Sequence, residues 1–148
     1  MKKSQPAKLM ASVPLVIPFH DVDLTGVAWH GRYLKYFELA RDALMDRIGY
    51  SYAQMRESGF IFPVVDVQLR YLRPLRMGQQ LEVTAALKEW EMRVVLDYEI
   101  RDAAGLVHCR GKTVQVAVSA DRWELRLGSP QELLDRVAAQ LAALAVEE

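Results

Sequence analysis

The chain has 148 residues, enough for one domain with a substantial buried core. Its 19 Lys and Arg balance 19 Asp and Glu, so as a whole it offers no field that would draw nucleic acid or an anionic membrane. The single cysteine, Cys109, excludes an intramolecular disulfide and any multi-cysteine zinc site; it reads as a small core hydrophobe and suits a reducing cytoplasm.

The first residues, MKKSQPAKLMASVPLVIP, place two lysines before an apolar run. Pro14 and Pro18 interrupt that run and no small-residue cleavage site follows, so residues 1–11 are expected to be a disordered tail. Val13 to Phe19 reads as a short strand with prolines suited to an edge or an end. Asp21 to Val27 is a turn, where Gly26 permits a positive φ or a close backbone approach. A helix is predicted from about His30 to Ile48, with Gly49 at C′. Tyr33, Leu34, Phe37, Ala40, Leu44 and Ile48 follow the i, i+3, i+4 rule, and Tyr36, Leu39, Ala43 and Met45 widen the stripe, which predicts an enclosed helix. A second short helix is expected over 51–58, ending at Gly59.

From Phe62 the period becomes two. Val65, Val67, Leu69 and Tyr71 alternate with Asp66, Gln68 and Arg70; Leu81, Val83, Ala85 and Leu87 form the next strand; Val94, Leu96, Tyr98 and Ile100 the one after. Pro74 with Gly78, Trp90–Glu91 and Asp102–Gly105 supply turns, and a long strand follows through Val118, with Gly111 a candidate bulge. Consecutive alternating segments with short connections predict an antiparallel meander. Trp123 to Leu127 is a candidate extra strand. Ser129-Pro-Gln-Glu132 has the form of a capping box before a C-terminal helix of Leu133, Leu134, Val137, Ala138, Leu141 and Leu144. No run is long and apolar enough to span a membrane, and residues 12–148 read as a single domain. The order of elements predicts an α+β hotdog fold: a long central helix wrapped by an antiparallel sheet of five to six strands, plus a C-terminal helix.

The chemistry gathers between Phe19 and Arg41. Asp21, Asp23 and His30 stand at the approach to the predicted helix, where unpaired backbone N–H groups and the helix dipole favour negative charge. A carboxylate, an imidazole and free amides together can attack a carbonyl and hold the resulting oxyanion. Taken singly, each residue has a plainer role: Asp21 and Asp23 as turn residues, His30 as a cap, Trp29 as packing, Glu38 and Arg41 as a helix pair. His108 alternates onto the polar side of a strand and is expected to be solvated.

The whole string, F-x-D-x-D-x-x-G-x-x-x-H-x-x-Y-x-x-(Y/F)-x-E-x-A-R, resembles the signature of the hotdog-fold 4-hydroxybenzoyl-CoA thioesterase family. It is similar above all to the acyl-CoA thioesterase branch that includes the Tol–Pal-associated enzymes, and also to thioesterases of aryl-polyene pathways. The likeness runs from about Val16 to Val118 and takes in Tyr71, Pro74 and Gly78 of a Y-x-x-P-x-x-x-G segment. The resemblance implies that Asp23 is the catalytic carboxylate, as nucleophile or as general base on water. It further implies that His30 acts at the helix start through its backbone N–H and its side chain. Gly26, Val27, Tyr33 and Phe19 are then the expected substrate-binding positions. Phe19 departs from the Tol–Pal branch, which has tyrosine there, and phenylalanine has no hydroxyl to contribute.

The implied activity is hydrolysis of an acyl-CoA or acyl-carrier-protein thioester in the cytoplasm, with no metal and no cofactor. The implied assembly is a homodimer with sheets joined edge to edge, or a homotetramer of such dimers; neither nucleic acid nor a membrane span is expected. Arg70, Arg73 and Arg76 form a candidate basic cluster for CoA phosphates, or a solvated turn. Two alternatives stand beside this. One is a non-catalytic domain that binds acyl thioesters or a partner. The other is a dehydratase or hydratase pairing His30 with Glu38, a separation of about 12 Å along a helix that is too long for direct cooperation.

Overall fold

The computed structural model describes residues 9–147. Along them run β1 (Met10–Val16), α1 (Tyr33–Ile48), α2 (Tyr52–Glu57), β2 (Phe60–Ile61), β3 (Val64–Tyr71), β4 (Gln80–Glu89), β5 (Val94–Asp102), β6 (Val107–Gln115), β7 (Val118–Ser119) and α3 (Gln131–Glu147). Five strands make one antiparallel sheet in the order β1-β4-β5-β6-β3, and β2 pairs with β7 in a small ribbon. The long helix α1 packs on β1, β4 and β5, which gives the hotdog arrangement. The first strand starts earlier than its prolines suggested: Leu9 is buried and Met10–Ala11 pair with Ala86 and Ala85. The rest of the expected tail, residues 1–8, lies outside the described residues.

Strands β4 and β5 bury Leu81, Val83, Ala85, Leu87, Val94, Leu96, Tyr98 and Ile100 as alternation predicts. Gly49 ends α1 at φ 82°, its N–H bonded to Asp46 O. The α1 stripe is less complete than its sequence implied, since Leu34 and Leu39 remain exposed. Gly111 is no bulge: it pairs in register with Leu69 and Tyr98. A Cβ there would lie 2.2 Å from Phe37 Cε2, and the Phe37 ring stacks on Tyr98 with centroids 4.5 Å apart. Glycine in β6 is thus the seat of an α1 side chain. The bulge falls instead at His108, which the β5–β6 ladder skips between Cys109 and Val107.

The meander is three strands long, β4-β5-β6. Strand β3 crosses to the far edge and pairs with β6, so residues 72–79 become a strap back to β4 instead of a hairpin turn. Because α1 covers the β1–β4–β5 side, the apolar face of β3 is left open: Val65 is 58% and Val67 38% exposed, where alternation predicted a half-buried strand. His108, expected in solvent, is buried, with Nδ1 3.0 Å from Pro74 O and Nε2 2.8 Å from Asp102 Oδ2. Two further expectations fail at the C-terminal end. Among the described residues Trp123–Leu127 supplies a single bridge, Leu125 to Val118, instead of a strand, and Ser129 Oγ has no hydrogen-bond partner, so no capping box forms. A capping box does form at Ser51 and Gln54, at the head of α2.

Candidate active site

After β1 the chain buries Ile17, passes Pro18 and makes one 3-10 turn, Phe19–Asp21, in which Asp21 N donates to Pro18 O at 3.1 Å. A small hairpin follows, bridged at Val22 and Ala28. At its tip Asp23 N donates to Val27 O at 2.9 Å and Gly26 N to Asp23 O at 3.0 Å. Gly26 has φ 80° with open space around the site of a Cβ, so the angle requires glycine and packing does not.

Asp23 sits exposed at that tip. Its Oδ1 accepts the Thr25 hydroxyl and, at 2.8 Å, the Thr25 N–H. These bonds, the hydroxyl foremost, hold the carboxyl below the ordinary aspartate value of about 3.8, so Asp23 is ionised at neutral pH.

His30 opens a second 3-10 turn, His30–Arg32, that runs straight into α1. Arg32 N donates to Trp29 O at 2.9 Å, which turns the Trp29 carbonyl into the helix. In a trans peptide the N–H points opposite to the C=O, so the His30 N–H points out of the helix start. Among the described residues neither the His30 nor the Gly31 N–H has a hydrogen-bond acceptor. The Trp29 ring lies 5.0 Å from the imidazole and folds over Gly31, where a Cβ would meet Trp29 Cζ3 at 2.3 Å. No hydrogen bond joins Asp23 to His30; the Val22–Ala28 bridge closes the base of the hairpin, with Asp23 on the loop side and His30 beyond it.

The strap 72–79 braces this corner from outside. Ala28 N donates to Leu75 O at 2.7 Å, Val27 bridges Arg76, Met77 N donates to Gly26 O and Gly78 N to Ile17 O. The Tyr71 hydroxyl donates to His30 O at 2.9 Å. The Y-x-x-P-x-x-x-G residues are therefore parts of the same corner, although they lie some forty residues downstream. Pro74 O reaches the buried His108, and Arg73 donates to Val107 O, so the strap is anchored on β6.

Asp21 is where simple turn reasoning failed. It is 2% exposed, accepts the Tyr36 hydroxyl on Oδ2 at 2.9 Å, and its own carbonyl accepts Trp29 N at 2.9 Å. Its distance of fifteen residues from Tyr36 is outside any local sequence pattern. Of the other expected positions, Phe19 is 78% exposed at the entry of the first 3-10 turn, and Val27 is half-buried. Tyr33 is buried, edge-on to Tyr71 with centroids 4.7 Å apart; burial pushes its hydroxyl up to about 12. It packs beneath the corner instead of lining it.

A cavity of about 810 Å³ opens farther along α1, lined in part by Met45, Tyr50, Met55, Phe62, Pro63 and Gln115. Asp23 and His30 are not in its wall. Glu38 accepts Arg41 Nη2, so that pair is the helix pair its spacing predicts. Among the described residues no three His, Cys, Asp or Glu side chains converge as a metal set.

The model of the thioesterase-like superfamily matches residues 17–141. A provisionally named acyl-CoA thioesterase of Bacillus subtilis is 26% identical over 109 residues, 73% of this chain and 79% of that protein. The acyl-CoA thioesterase YbgC of Helicobacter pylori is 32% identical over 83 residues, 55% of this chain and 60% of that protein. The crystal structure of a DHNA-CoA thioesterase from Staphylococcus aureus superposes with a TM-score of 0.77 at 25% identity, covering 93% of this chain and 94% of that one.

Proposed function

We propose that this chain, which belongs to the thioesterase-like superfamily, hydrolyses acyl thioesters with Asp23 as the reacting carboxylate and the His30 and Gly31 amides as oxyanion donors. The observation that carries the reading is one juxtaposition. An aspartate held ionised by Thr25 stands on the hairpin that leads directly into a helix start with two uncommitted N–H groups. The thioester carbonyl accepts from those amides, Asp23 attacks it or activates a water toward it, and negative charge builds on the carbonyl oxygen. Amides fixed before the reaction stabilise that charge without reorganising. The His30 side chain, exposed at the same place, is the group able to exchange a proton with the leaving thiolate.

The substrate in this reading is an acyl-CoA, or an acyl group on a carrier protein, handled in the cytoplasm. Phe19, Gly26 and Val27 flank its path, and Tyr33 supports Tyr71 from below. The acyl group enters the cavity along α1. That chamber's wall includes Phe62 and Pro63, which lead into β3, one of the two outer strands of the sheet among the described residues, so a second copy joined edge to edge there would close it. The dehydratase alternative is disfavoured because Glu38 is engaged by Arg41.

The test is thiol release across acyl-CoAs of short, long and aryl character, then across acyl-carrier-protein thioesters, with Asp23→Asn in parallel. Turnover of some substrates is expected, reduced in the variant by about 10²–10⁴-fold. Full activity in Asp23→Asn would refute the assignment.

A further inference from the structure

Asp21 is a buried carboxylate to which the chemistry above gives no part. Three bonds meet on it: Pro18 O accepts its N–H, Trp29 N donates to its carbonyl, and Tyr36 Oη donates to Oδ2. The first fixes the turn that leads to Asp23, two residues on. The second fixes the residue whose peptide carries the His30 N–H. The third reaches into the first full turn of α1. Its second oxygen, Oδ1, has no hydrogen bond among the described residues, with the Arg32 guanidinium Nε and the His20 imidazole Nε2 each 3.6 Å away. Tyr36 is buried too, so nothing in water competes for its hydroxyl. Leaving either partner unpaired in such a place is costly, and a carboxylate with one fixed donor has one preferred orientation.

We infer that the Asp21–Tyr36 pair is a positioning latch that holds the Asp23 hairpin and the His30–Gly31 amides in one fixed relation to α1. This rests on the thioesterase reading above, because it assumes those two groups must act on one carbonyl. Neither Asp21 nor Tyr36 is assigned any contact with substrate. Their effect is geometric, and a misplacement of about 1 Å at reacting groups can cost roughly a hundredfold in rate.

The variants are Tyr36→Phe, which removes only the donor, and Asp21→Asn, which keeps an acceptor for it. With the best acyl-CoA substrate, well below the melting temperature, Tyr36→Phe is expected to lower kcat by about 10–100-fold with KM changed little. Asp21→Asn, in which the Tyr36 hydroxyl still has an oxygen to donate to, should lose less. A merely structural role would lower the melting temperature but leave kcat intact in the folded variant. Independently of turnover, hydrogen exchange at the Trp29 and Asp23 amides should quicken by about tenfold in Tyr36→Phe, while amides of β4 and β5 stay protected. Unchanged kcat in Tyr36→Phe, or unchanged exchange at those two amides, overturns the latch. Asp23→Asn, run alongside, separates the cases: if it is inactive while Tyr36→Phe is fully active, the latch fails and the thioesterase reading stands. If Asp23→Asn is fully active, it is that reading which fails, and the exchange result alone decides the latch.

Discussion

The Tyr71 hydroxyl, at the end of β3, donates to the carbonyl of His30 at 2.9 Å, across forty-one residues of sequence. The His30 carbonyl and the Gly31 N–H belong to one planar trans peptide, so a donor that fixes the former aims the latter in the opposite direction. Tyr71→Phe removes that constraint from one of the two amides proposed as oxyanion donors. Losing an oxyanion donor outright costs about 10²–10³-fold. Loosening one is expected to cost less, about tenfold in kcat. Since Tyr71 is half exposed, the melting temperature should move little. Steady-state kinetics with a parallel thermal melt would check both.

A second expectation concerns pH. Asp23 is held below its ordinary range chiefly by the Thr25 hydroxyl and next by the Thr25 N–H. Activity that needs the carboxylate is therefore present at neutral pH and fails only as pH falls through that depressed value. Thr25→Val deletes the larger cause and keeps the backbone bond. The acid limb of the kcat/KM profile should move upward, toward the ordinary aspartate value of about 3.8. A limb that stays in place would show that another group sets it.

The pair His108–Asp102 gives a prediction about stability. Asp102 is held low first by its bond to His108, then by the Leu106 N–H. A depressed carboxyl contributes stability that is present above its unfolded value and lost as pH falls through the folded one. His108→Gln should lower the melting temperature at neutral pH, because it releases both Asp102 and the strap at Pro74. The difference from wild type should begin to shrink as the pH falls past about 3.8 and vanish only below the lower value that Asp102 has in the folded wild type, where it is protonated in both. Equal melting curves at neutral pH would contradict the role given to His108.

The open edge of β3 leads to an assembly prediction. Val65 and Val67 are exposed on a strand with unpaired backbone groups along one side, the kind of surface that a second copy covers. Size-exclusion chromatography with light scattering should find the wild type as a dimer or larger. Val65→Lys with Val67→Lys should shift it to monomer and lower activity, because the chamber beside Phe62 and Pro63 loses its closing partner. A monomeric wild type with full activity would remove the edge from the mechanism.

Much of this architecture could be read from periodicity. The two-residue alternation of Leu81 to Leu87 and Val94 to Ile100 reports burial directly, and Gly49 marks a helix end by a left-handed conformation that other residues resist. Asp23 and His30 were legible from a spaced string of residue types, and the structure places the first on its hairpin and the second at the helix start. What local pattern could not give is partnership at a distance. Asp21 looks like any turn aspartate until Tyr36 is folded onto it, and His108 looks solvated until a bulge turns it toward Pro74. Gly111 looks like a bulge because the Phe37 ring that needs its bare backbone lies on another element. Strand β3 alternates like its neighbours, yet its valines stay open because the sheet order carries it to the far edge, where the α1 ring of Tyr33 meets Tyr71 at the strand's end.

The strap also dictates when the corner can come into being. Its bonds to the hairpin, Leu75 to Ala28 and Met77 to Gly26, join segments about fifty residues apart, and it is itself hung between β3 and β4, strands that sit apart in the sheet. Contacts that close such long loops form late, after nearer ones have lowered the entropy of bringing the ends together. A nascent or partly refolded chain can therefore possess α1 and the β4–β5–β6 meander and still lack a working corner. Recovery of activity should lag behind recovery of secondary structure, and the lag should lengthen in any variant that weakens the hold of His108 on Pro74.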